Sequence, residues 1–389
     1  MEKQGTKKIS FLISSFRAGG GELQMIDIAN ALVLRGYEVD LLVLAMLGPS
    51  QSLVNEHVHI VSLQQRRLFL SFPKFAWYLY KERPSILVST DQYTQLFSLF
   101  AKMITRVPTK IAFRVGIVFS DMMSQFYGKD KLTPFLIRRF YKKADIVIAN
   151  SKGVADDFCA MTGTERSRVS VIFNPKKINE ILSSSNEPVP EIFVMKKKVP
   201  VIVATGSLRL RKNFSLLIRA FAKVTKTIPA RLVIVGSGRE RGSLGELAKS
   251  LGIEEVITFV GYSKNPHAYA SRADVFVSTA LLEGLPNSLL EAMICGTPII
   301  SSDCNAGPRE ILAPDTDYRE RLEKGVEYAK YGVLTAVNDE EALVSAILRI
   351  LSDPNMRARY ADLSKKRMVD FEFEKILDKY EKALGLVKK

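Results

Sequence analysis

Two glutamates, Glu283 and Glu291, stand eight positions apart in the stretch EGLPNSLLEAMICG. This stretch predicts a short buried helix, because it is apolar nearly all round and ends at Gly296, which suits the left-handed position after a helix. Glu291 would lie inside the helix and Glu283 at its N-terminal mouth. A buried carboxylate needs a partner. That partner is either a Lys or Arg in a structural salt bridge or the hydroxyl groups of a bound ligand, and the spacing favours the ligand.

The residues around the two glutamates extend the pattern. EGLPNSLLEAMICGTPIISSD, with GPREIL downstream, resembles the signature of the retaining, nucleotide-sugar-dependent family 4 glycosyltransferases. The resemblance runs from Thr205 to about Pro354 and continues more faintly through the N-terminal half. It implies an α/β protein of GT-B fold, with two Rossmann-like doubly wound domains facing a central cleft. It also implies that a hexose or N-acetylhexosamine moves from a UDP- or GDP-linked donor to an acceptor with retention of configuration.

The resemblance assigns roles to residues of the second half. Glu283 and Lys212 are the catalytic candidates: Glu283 would contact the reacting sugar, and Lys212 would stabilise the charge that grows on the diphosphate as the sugar–phosphate bond breaks. Glu291 would accept hydrogen bonds from the ribose diol. The other donor-binding candidates lie in glycine loops, near the nucleoside or at the helix entrance, and they are Gly206, Arg209, Gly236, Gly238, Tyr262, Gly284 and Leu285.

One donor position departs from the family pattern. The family pairs the diphosphate lysine with an arginine directly after the first glycine of this set, and this chain has Ser207 there. Arg209 or Arg211 would supply the guanidinium instead, and Arg209 is favoured because it is nearer in sequence. The alternative is that both arginines are surface cations flanking a loop.

A glycine cluster, Gly19 to Gly21, joins the first predicted strand to the first predicted helix. Its backbone could approach a phosphate or a sugar at the helix N-terminus, or it could be a tight turn without a ligand. The resemblance places Gly20 and Gly21 on the side of the diphosphate and the acceptor. Arg114 is a candidate there too, because many family members have a His or an Arg at about this position. A surface salt bridge is the alternative for Arg114.

A chain of 389 residues is too long for one ordinary core and predicts two domains. Short apolar strands alternate with helical patterns in both halves, which predicts parallel sheets with right-handed crossovers. We expect an N-terminal domain at residues 1–178, a linker at 179–198 and a C-terminal domain at 199–371. The last helix, at about 372–389, would cross back onto the N-terminal domain.

Charge and cysteine content narrow the partners and the compartment. The net charge is +15, and residues 1–180 hold 25 Lys and Arg against 15 Asp and Glu. Because no nucleic-acid-binding signature is present, we assign this charge to a membrane surface and a diphosphate. Three cysteines without metal-ligand spacing suit a reducing cytosol. Neither a metal ion nor a cofactor is expected, and no signal peptide or membrane-spanning apolar run is evident.

Two basic segments of the N-terminal half have large apolar residues among their cations. They are Arg66–Arg83 (RRLFLSFPKFAWYLYKER) and Lys129–Lys143, which has six Lys and Arg against one Asp. They are either amphipathic elements lying on an anionic membrane, or core residues with a solvated cationic face. The first interpretation predicts a cytoplasmic enzyme bound peripherally to the inner face of the cell membrane. Its acceptor would then be lipid-linked or an oligosaccharide, in polysaccharide, lipopolysaccharide or glycan precursor synthesis.

Two other functions are compatible with the same residues. One is a sugar-nucleotide epimerase or isomerase of similar two-domain form, and the other is a non-catalytic protein that binds nucleotide sugars. Incubation with UDP- and GDP-sugars distinguishes them. Slow hydrolysis favours a transferase, interconverted sugars favour an epimerase, and binding without hydrolysis or transfer favours a binding protein.

Overall fold

The computed structural model describes residues 7–17, 19–63, 68–120, 132–189 and 199–386. The chain divides into two compact units, the first comprising Met1–Pro175 and Glu374–Lys389 and the second Lys176–Phe373. The second unit therefore begins ahead of the linker expected at 179–198. Residues 178–185 form a helix because buried Ile181 packs it onto the second unit, whereas 190–198 lie outside the described residues.

The first unit is built on a parallel sheet. Its strands are β1 Lys8–Ser15, β2 Glu38–Ala45, β3 His59–Ser62, β4 Ile86–Ser89, β5 Lys110–Val115, β6 Ile146–Ala149 and β7 Val169–Val171. Their order in the sheet is β3-β2-β1-β4-β5-β6-β7. The order reverses between β1 and β4, and doubly wound sheets bind ligands beyond the carboxyl ends of the strands at such a point.

The helices between these strands cover the sheet. They are α1 Gly20–Leu34, α2 Leu68–Glu82, α3 Gln92–Thr105, α4 Leu132–Phe140 and α5 Lys152–Thr162. Side-chain caps fix two of their starts. Asp91 accepts hydrogen bonds from the N–H groups of Tyr93 and Thr94, and Ser151 accepts one from Val154, as its position before α5 predicts.

The second unit has a similar sheet. Its strands are β8 Val201–Thr205, β9 Arg231–Val235, β10 Ile257–Gly261, β11 Val275–Ser278, β12 Ile299–Ser302, β13 Val326–Tyr328 and β14 Val333–Thr335, in the order β10-β9-β8-β11-β12-β14-β13. All neighbours are parallel except β13 and β14. Strand β13 lies in the polar stretch of residues 315–330, where the sequence has no apolar run that predicts a strand. It has three residues with a charged one in the middle, so its pairing with β14 is what makes it a strand.

The helices of the second unit pack by burying apolar residues. They are α6 Ile178–Ser185, α7 Phe214–Val224, α8 Arg241–Ser250, α9 His267–Ala270, α10 Asn287–Ile294, α11 Pro308–Leu312, α12 Glu340–Ser352 and α13 Pro354–Met368. Helix α7 shows the rule, because Leu217, Phe221 and Val224 recur at helical spacing and are fully buried in the core with Ile202 and Leu232 of the sheet.

The last helix, α14 Phe373–Leu384, belongs from Glu374 onward to the first unit. Arg35 at the end of α1 donates hydrogen bonds to Glu374, to Asp378 at 2.7 Å and to Glu381 at 2.6 Å. These acids share one face of α14 because they recur at helical spacing. The pairs with Glu374 and Asp378 are exposed, so burial of residues such as Tyr380 contributes more to docking the helix.

Two doubly wound units confirm the predicted α/β class with two Rossmann-like domains. Each sheet has helices between parallel strands, which explains why most strands are apolar along their whole length rather than alternating. None of the described helices is long and apolar enough to cross a membrane.

Candidate active site

Lys212 and Glu283, the two catalytic candidates, form an ion pair in the second unit. Lys212 ends a short 3-10 turn after β8, and Glu283 follows β11. Because β8 and β11 are the neighbours between which the strand order reverses, the pair lies at the ligand-binding edge of the sheet. The side chains are only 14% and 10% exposed, so each ion supplies the counter-charge that the other needs away from water.

Backbone hydrogen bonds fix the positions of the two side chains. The Thr279 hydroxyl donates to the carbonyl of Lys212 or to that of Asn213, at 3.0 and 2.9 Å. The Leu281 N–H donates to the Arg211 carbonyl at 2.8 Å. These contacts join the turn after β8 to the loop after β11. Backbone hydrogen bonds therefore hold Lys212 and Glu283 near each other in addition to the attraction between their charges.

Gly206, Gly236 and Gly238 lie at the carboxyl ends of β8 and β9, where two loops pack backbone against backbone. A Cβ atom on Gly236 would lie 1.9 Å from the Gly206 carbonyl oxygen, and one on Gly238 would lie 2.3 Å from the Leu208 carbonyl oxygen. The N–H groups of Gly206 and Gly236 donate to carbonyls within the protein. These two glycines therefore shape the loops rather than present N–H donors to a ligand.

The other candidates near these loops are exposed. Tyr262 follows β10 and is 64% exposed, so its ring is available, and its contact with a base stays a prediction. Arg209 and Arg211 are also exposed, and no described residue binds either guanidinium. The Arg209 N–H donates to the Ser207 carbonyl at 2.8 Å. Which of the two guanidinium groups would serve the diphosphate stays a prediction.

Gly284 and Leu285 form the entrance to α10, and Pro286 is the residue just before the helix rather than its first. The loop after β12 packs on this entrance. A Cβ atom on Gly307 would lie 2.7 Å from the Pro286 ring and 2.8 Å from the Gly284 carbonyl oxygen. Gly307 also has a positive φ of 84°, which residues with a side chain rarely adopt. Both the backbone conformation and the lack of room for a Cβ atom therefore favour glycine at this position.

Glu291 lies inside α10, as predicted, and its partner is Lys176. The Lys176 ammonium lies 2.6 Å from Glu291 Oε1, with the two side chains 8% and 23% exposed. Both glutamates thus have a lysine partner in this structure, as the salt-bridge alternative predicts. Lys176 was not a sequence candidate. The only local signal was the preceding Pro175, which indicates a break in the chain and not a partner.

Three other titratable groups near the glutamates, namely one histidine and two cysteines, are uncharged at neutral pH. Burial lowers the pKa of His267, although the Glu291 charge opposes this. Burial and then the Glu291 charge raise the pKa of Cys295 to about 12, and burial and then the Glu283 charge raise that of Cys304 to about 12. Lysines therefore supply the positive charge at both glutamates. Among the described residues, no three His, Cys, Asp or Glu side chains come together to hold a metal ion.

Gly20, Gly21 and Arg114 come together in the first unit. Gly20 begins α1, and a Cβ atom on Gly21 would lie 3.7 Å from Arg114 Nη1. Arg114 is 4% exposed, so it is not a surface residue. Its Nη2 donates to Asn174 Oδ1 at 2.7 Å and to Gln24 Oε1, both neutral groups, and no described carboxylate pairs with it.

Three neighbours of Arg114 were not predicted, namely Gln24, Asn174 and Tyr380. Burial raises the pKa of Tyr380, and the nearby Arg114 guanidinium opposes that rise. Tyr380 reaches this position from α14, more than 200 residues along the chain. No motif marks any of the three, because Gln24 lies on α1, Asn174 follows β7 and Tyr380 lies on α14, and only the folded chain brings them to Arg114.

Comparison with known proteins identifies two family models that divide the chain much as the structure does. The model described as Glycosyltransferase Family 4 matches residues 18–176, all but the last of them in the first unit. The model described as Glycosyl transferases group 1 matches residues 186–367, within the second. Together they match most of the chain.

Individual relatives give the same result. An uncharacterised glycosyltransferase of Methanocaldococcus jannaschii is 30% identical over 274 residues, which are 64% of this chain and 66% of that protein. A Campylobacter jejuni enzyme, named as an α-1,4-N-acetyl-D-galactosaminyltransferase acting on a GalNAc- and diNAcBac-containing PP-undecaprenol, is 26% identical over 98% of this chain and 99% of its own.

A solved structure shows the same fold. The crystal structure of Anabaena HepE in complex with UDP-glucose superimposes with a TM-score of 0.78 over 98% of this chain and 100% of that chain, at 21% identity. At this identity the likeness shows the fold alone. With the two family models and the matching relatives, it shows that this chain belongs to the family 4 glycosyltransferases and has the GT-B fold.

Proposed function

We propose that this protein transfers a hexose or an N-acetylhexosamine, with retention of configuration, from a UDP- or GDP-linked sugar to a lipid-linked or oligosaccharide acceptor. The acceptor would belong to the synthesis of a polysaccharide, a lipopolysaccharide or another glycan precursor. The observation that supports this most is the buried pair of Lys212 and Glu283 at the ligand-binding edge of the second sheet. The pair offers a cation for a diphosphate and a carboxylate for sugar hydroxyls.

The names of the relatives support the substrate classes. The Campylobacter enzyme is named for an N-acetylhexosamine donor group and an undecaprenol-linked acceptor. The Anabaena protein was crystallised with UDP-glucose. We extend both classes to this chain as part of the proposal, with the sugar, the base and the linkage left open.

The proposed reaction occurs on one face of the donor sugar. The bond from C1 to the phosphate oxygen breaks, and the acceptor oxygen forms a bond to C1 on the same face. The acceptor's hydroxyl proton passes to the departing phosphate oxygen, and the nucleoside diphosphate is released. Lys212 stabilises the negative charge on that oxygen, and the N-terminus of α10 beside Gly284 contributes its positive dipole end.

Glu283 would exchange part of its contact with Lys212 for hydrogen bonds from the sugar hydroxyls, and Glu291 would accept hydrogen bonds from the ribose diol. This scheme needs no separate general base, since the leaving phosphate takes the proton. It also needs neither a metal ion nor a cofactor, since Lys212 and the helix N-terminus neutralise the diphosphate. Metal independence is therefore a part of the proposal that chelation can test.

Arg114 would bind a phosphate or an acceptor group in the first unit. Among the described residues, the buried Arg114 guanidinium has only neutral hydrogen-bond partners, and a phosphate would supply a counter-charge with short charge-assisted hydrogen bonds. A Cβ atom on Gly21 would be in ordinary contact with Arg114 Nη1 at 3.7 Å, so a ligand atom could occupy that space against the glycine backbone.

A panel of UDP, GDP, ADP and their sugars tests the donor. At about 100 times its dissociation constant, the true donor should add roughly 2.7 kcal/mol to the free energy of unfolding, seen as a raised melting temperature. The same donor should then be hydrolysed slowly, and Glu283→Gln should reduce turnover by orders of magnitude with nucleotide affinity nearly unchanged. Interconverted sugar nucleotides would support the epimerase, and binding without hydrolysis or transfer would support the binding protein.

We also propose that the first unit contacts an anionic membrane through α4. Leu132 and Phe135 on this helix are 63% and 61% exposed. Four exposed cations follow them, and no described carboxylate pairs with any of the four, which are Arg138, Arg139, Lys142 and Lys143. Exposed apolar side chains beside exposed cations are what an interfacial helix presents to a membrane.

The other basic segment, Arg66–Arg83, has features of both a core element and a membrane-bound element. Phe75 and Leu79 of α2 are fully buried, so part of its aromatic and aliphatic content is ordinary core. Trp77 and Tyr80 are 63% and 50% exposed and suit a membrane interface. Arg66 of this segment lies outside the described residues, and so do Lys129 and Lys131 of the segment Lys129–Lys143.

Vesicle sedimentation tests the membrane contact. Each cation near an anionic surface contributes about 1 kcal/mol, so replacing all four with Glu should abolish binding to vesicles with anionic lipid. The matched control reverses four exposed cations of the second unit, Lys226, Lys249, Arg359 and Lys366, and should retain binding. Equal partition of the parent onto neutral and anionic vesicles, or none onto either, would contradict this part of the proposal.

A further inference from the structure

The chain enters the second unit at Lys176, and this residue is held by its backbone and its side chain at once. Its N–H donates to the Phe371 carbonyl at 2.8 Å, and a parallel bridge pairs it with Glu372, just before the chain leaves the unit. Its ammonium donates to Glu291 Oε1 at 2.6 Å. A lysine fixed at both ends loses the freedom that usually makes such pairs weak.

Lys176 is the cation that the described residues place on Glu291. His267 and Cys295 also lie near this carboxylate, but burial keeps the histidine neutral and the thiol protonated. The next lysine in the chain does not share the role, because Lys177 pairs with Glu180 at 3.6 Å. Among the described residues, removing the Lys176 ammonium would therefore leave Glu291 without an ion-pair partner.

The other oxygen of the same carboxylate is available. No described residue binds Glu291 Oε2, and the side chain is 23% exposed, so one side of it reaches solvent. An ionised carboxylate accepts hydrogen bonds at both oxygens. Lys176 on one oxygen thus leaves a charged and oriented acceptor at the other.

We infer that Lys176 is a positioning residue for recognition of the nucleotide's ribose: it holds Glu291 Oε1 so that Oε2 faces the ribose hydroxyls. This inference rests on the proposed function, in which Glu291 accepts hydrogen bonds from the ribose diol. Lys176 itself touches neither the base nor the phosphates in this scheme. Its effect on affinity must then pass through Glu291 and depend on the ribose hydroxyls.

Affinities for UDP and for 2′,3′-dideoxy-UDP, which lacks the diol, test this dependence by calorimetry. For the parent, loss of the diol should weaken binding roughly tenfold, the size expected of hydrogen bonds to a charged group. Lys176→Met should weaken UDP binding by about the same factor and leave dideoxy-UDP binding unchanged. Glu291→Gln should do likewise, and the double variant should be no worse than either single one. If the donor panel selects another base, the same pair of nucleotides with that base is used.

Two further variants serve as controls. Lys176→Arg keeps a cation that can reach the carboxylate and should keep most of the preference for UDP. Lys177→Met removes the neighbouring lysine and should keep the parent's preference in full. Because the preference compares two nucleotides on one variant, partial unfolding lowers both affinities alike and does not alter it.

Equal weakening of both nucleotides by Lys176→Met would assign it a general structural role and overturn the inference. So would UDP binding that is unchanged or tighter, which would mean that Lys176 competes with the ribose for Glu291. A parent that binds both nucleotides equally well would instead remove the proposed role of Glu291, and the inference with it. Whether the parent protein prefers UDP to dideoxy-UDP thus shows which has failed, the proposed role of Glu291 or the inference about Lys176.

Discussion

Removing both charges of the ion pair of Lys212 and Glu283 should cost less stability than the sum of the two single removals. Lys212→Met leaves a carboxylate that is 10% exposed without its cation, and we expect this to lower the free energy of unfolding by about 3 kcal/mol. Glu283→Gln leaves the ammonium, which is 14% exposed and more flexible, and should cost about 2 kcal/mol. The double variant should cost about 3 kcal/mol rather than the sum, because no uncompensated charge remains.

Urea unfolding of the four proteins, followed by far-UV circular dichroism, measures this coupling as about 2 kcal/mol. The matched control is the pair of Asp362 and Lys366 on α13. Its contact distance is 2.7 Å, but its side chains are 62% and 67% exposed. We expect a coupling of about 0.5 kcal/mol or less in this exposed pair, because water screens it.

Additive costs for Lys212 and Glu283, within about 0.5 kcal/mol, would refute the argument that burial makes this pair interdependent. Turnover gives a second reading on the same variants. Each single variant should lose roughly 100-fold or more in kcat, and the double variant should be little worse than the poorer single one, since the two residues act on one reacting centre.

Three other predictions concern the glycine loops, pH and metal ions. Gly236→Ala should lower the free energy of unfolding by about 3 kcal/mol, because its Cβ would lie 1.9 Å from a carbonyl oxygen at a φ of 147°. The control Gly242→Ala, where a Cβ meets nothing within 4 Å, should instead stabilise α8 by about 0.5 kcal/mol. Similar urea midpoints for the two variants would contradict this. Burial lowers the pKa of His267 in the folded protein, so below the ordinary pKa of 6.5 the unfolded chain binds a proton that the folded protein does not, and stability should fall as the pH drops. His267→Asn should reduce that fall in stability between pH 7 and pH 5. An unchanged pH dependence in this variant would argue against the role of His267. Glycosyl transfer should survive EDTA, and activity lost to the chelator but restored by manganese or magnesium would show that Lys212 does not suffice for the diphosphate.

The strands illustrate what local pattern can predict. Runs such as VDLLVLA and KIAFRV are apolar along their length, which is typical of strands covered on both faces, and they form β2 and β5 within a residue or so of the expected bounds. Strand β13 had no such signal, since a three-residue edge strand gains its stability from one neighbour. Residues 179–185 were assigned to the linker because Ser183–Ser185 and the prolines that follow suggest a break, and burial of Ile181 outweighs that local preference.

The sequence by itself determined the α/β class, the family and the positions of the glutamates, because short-range pattern and the spacing of a helix fix these. It also required that each buried carboxylate have a partner, since an unpaired charge is costly anywhere in a protein interior. Only the tertiary structure decided which partner. Lys212 reaches Glu283 from 71 positions away and Lys176 reaches Glu291 from 115, by way of strand order and of the two chain crossings into and out of the second unit. Many lysines could satisfy the charge, and the choice among them depends on distances that no local pattern encodes.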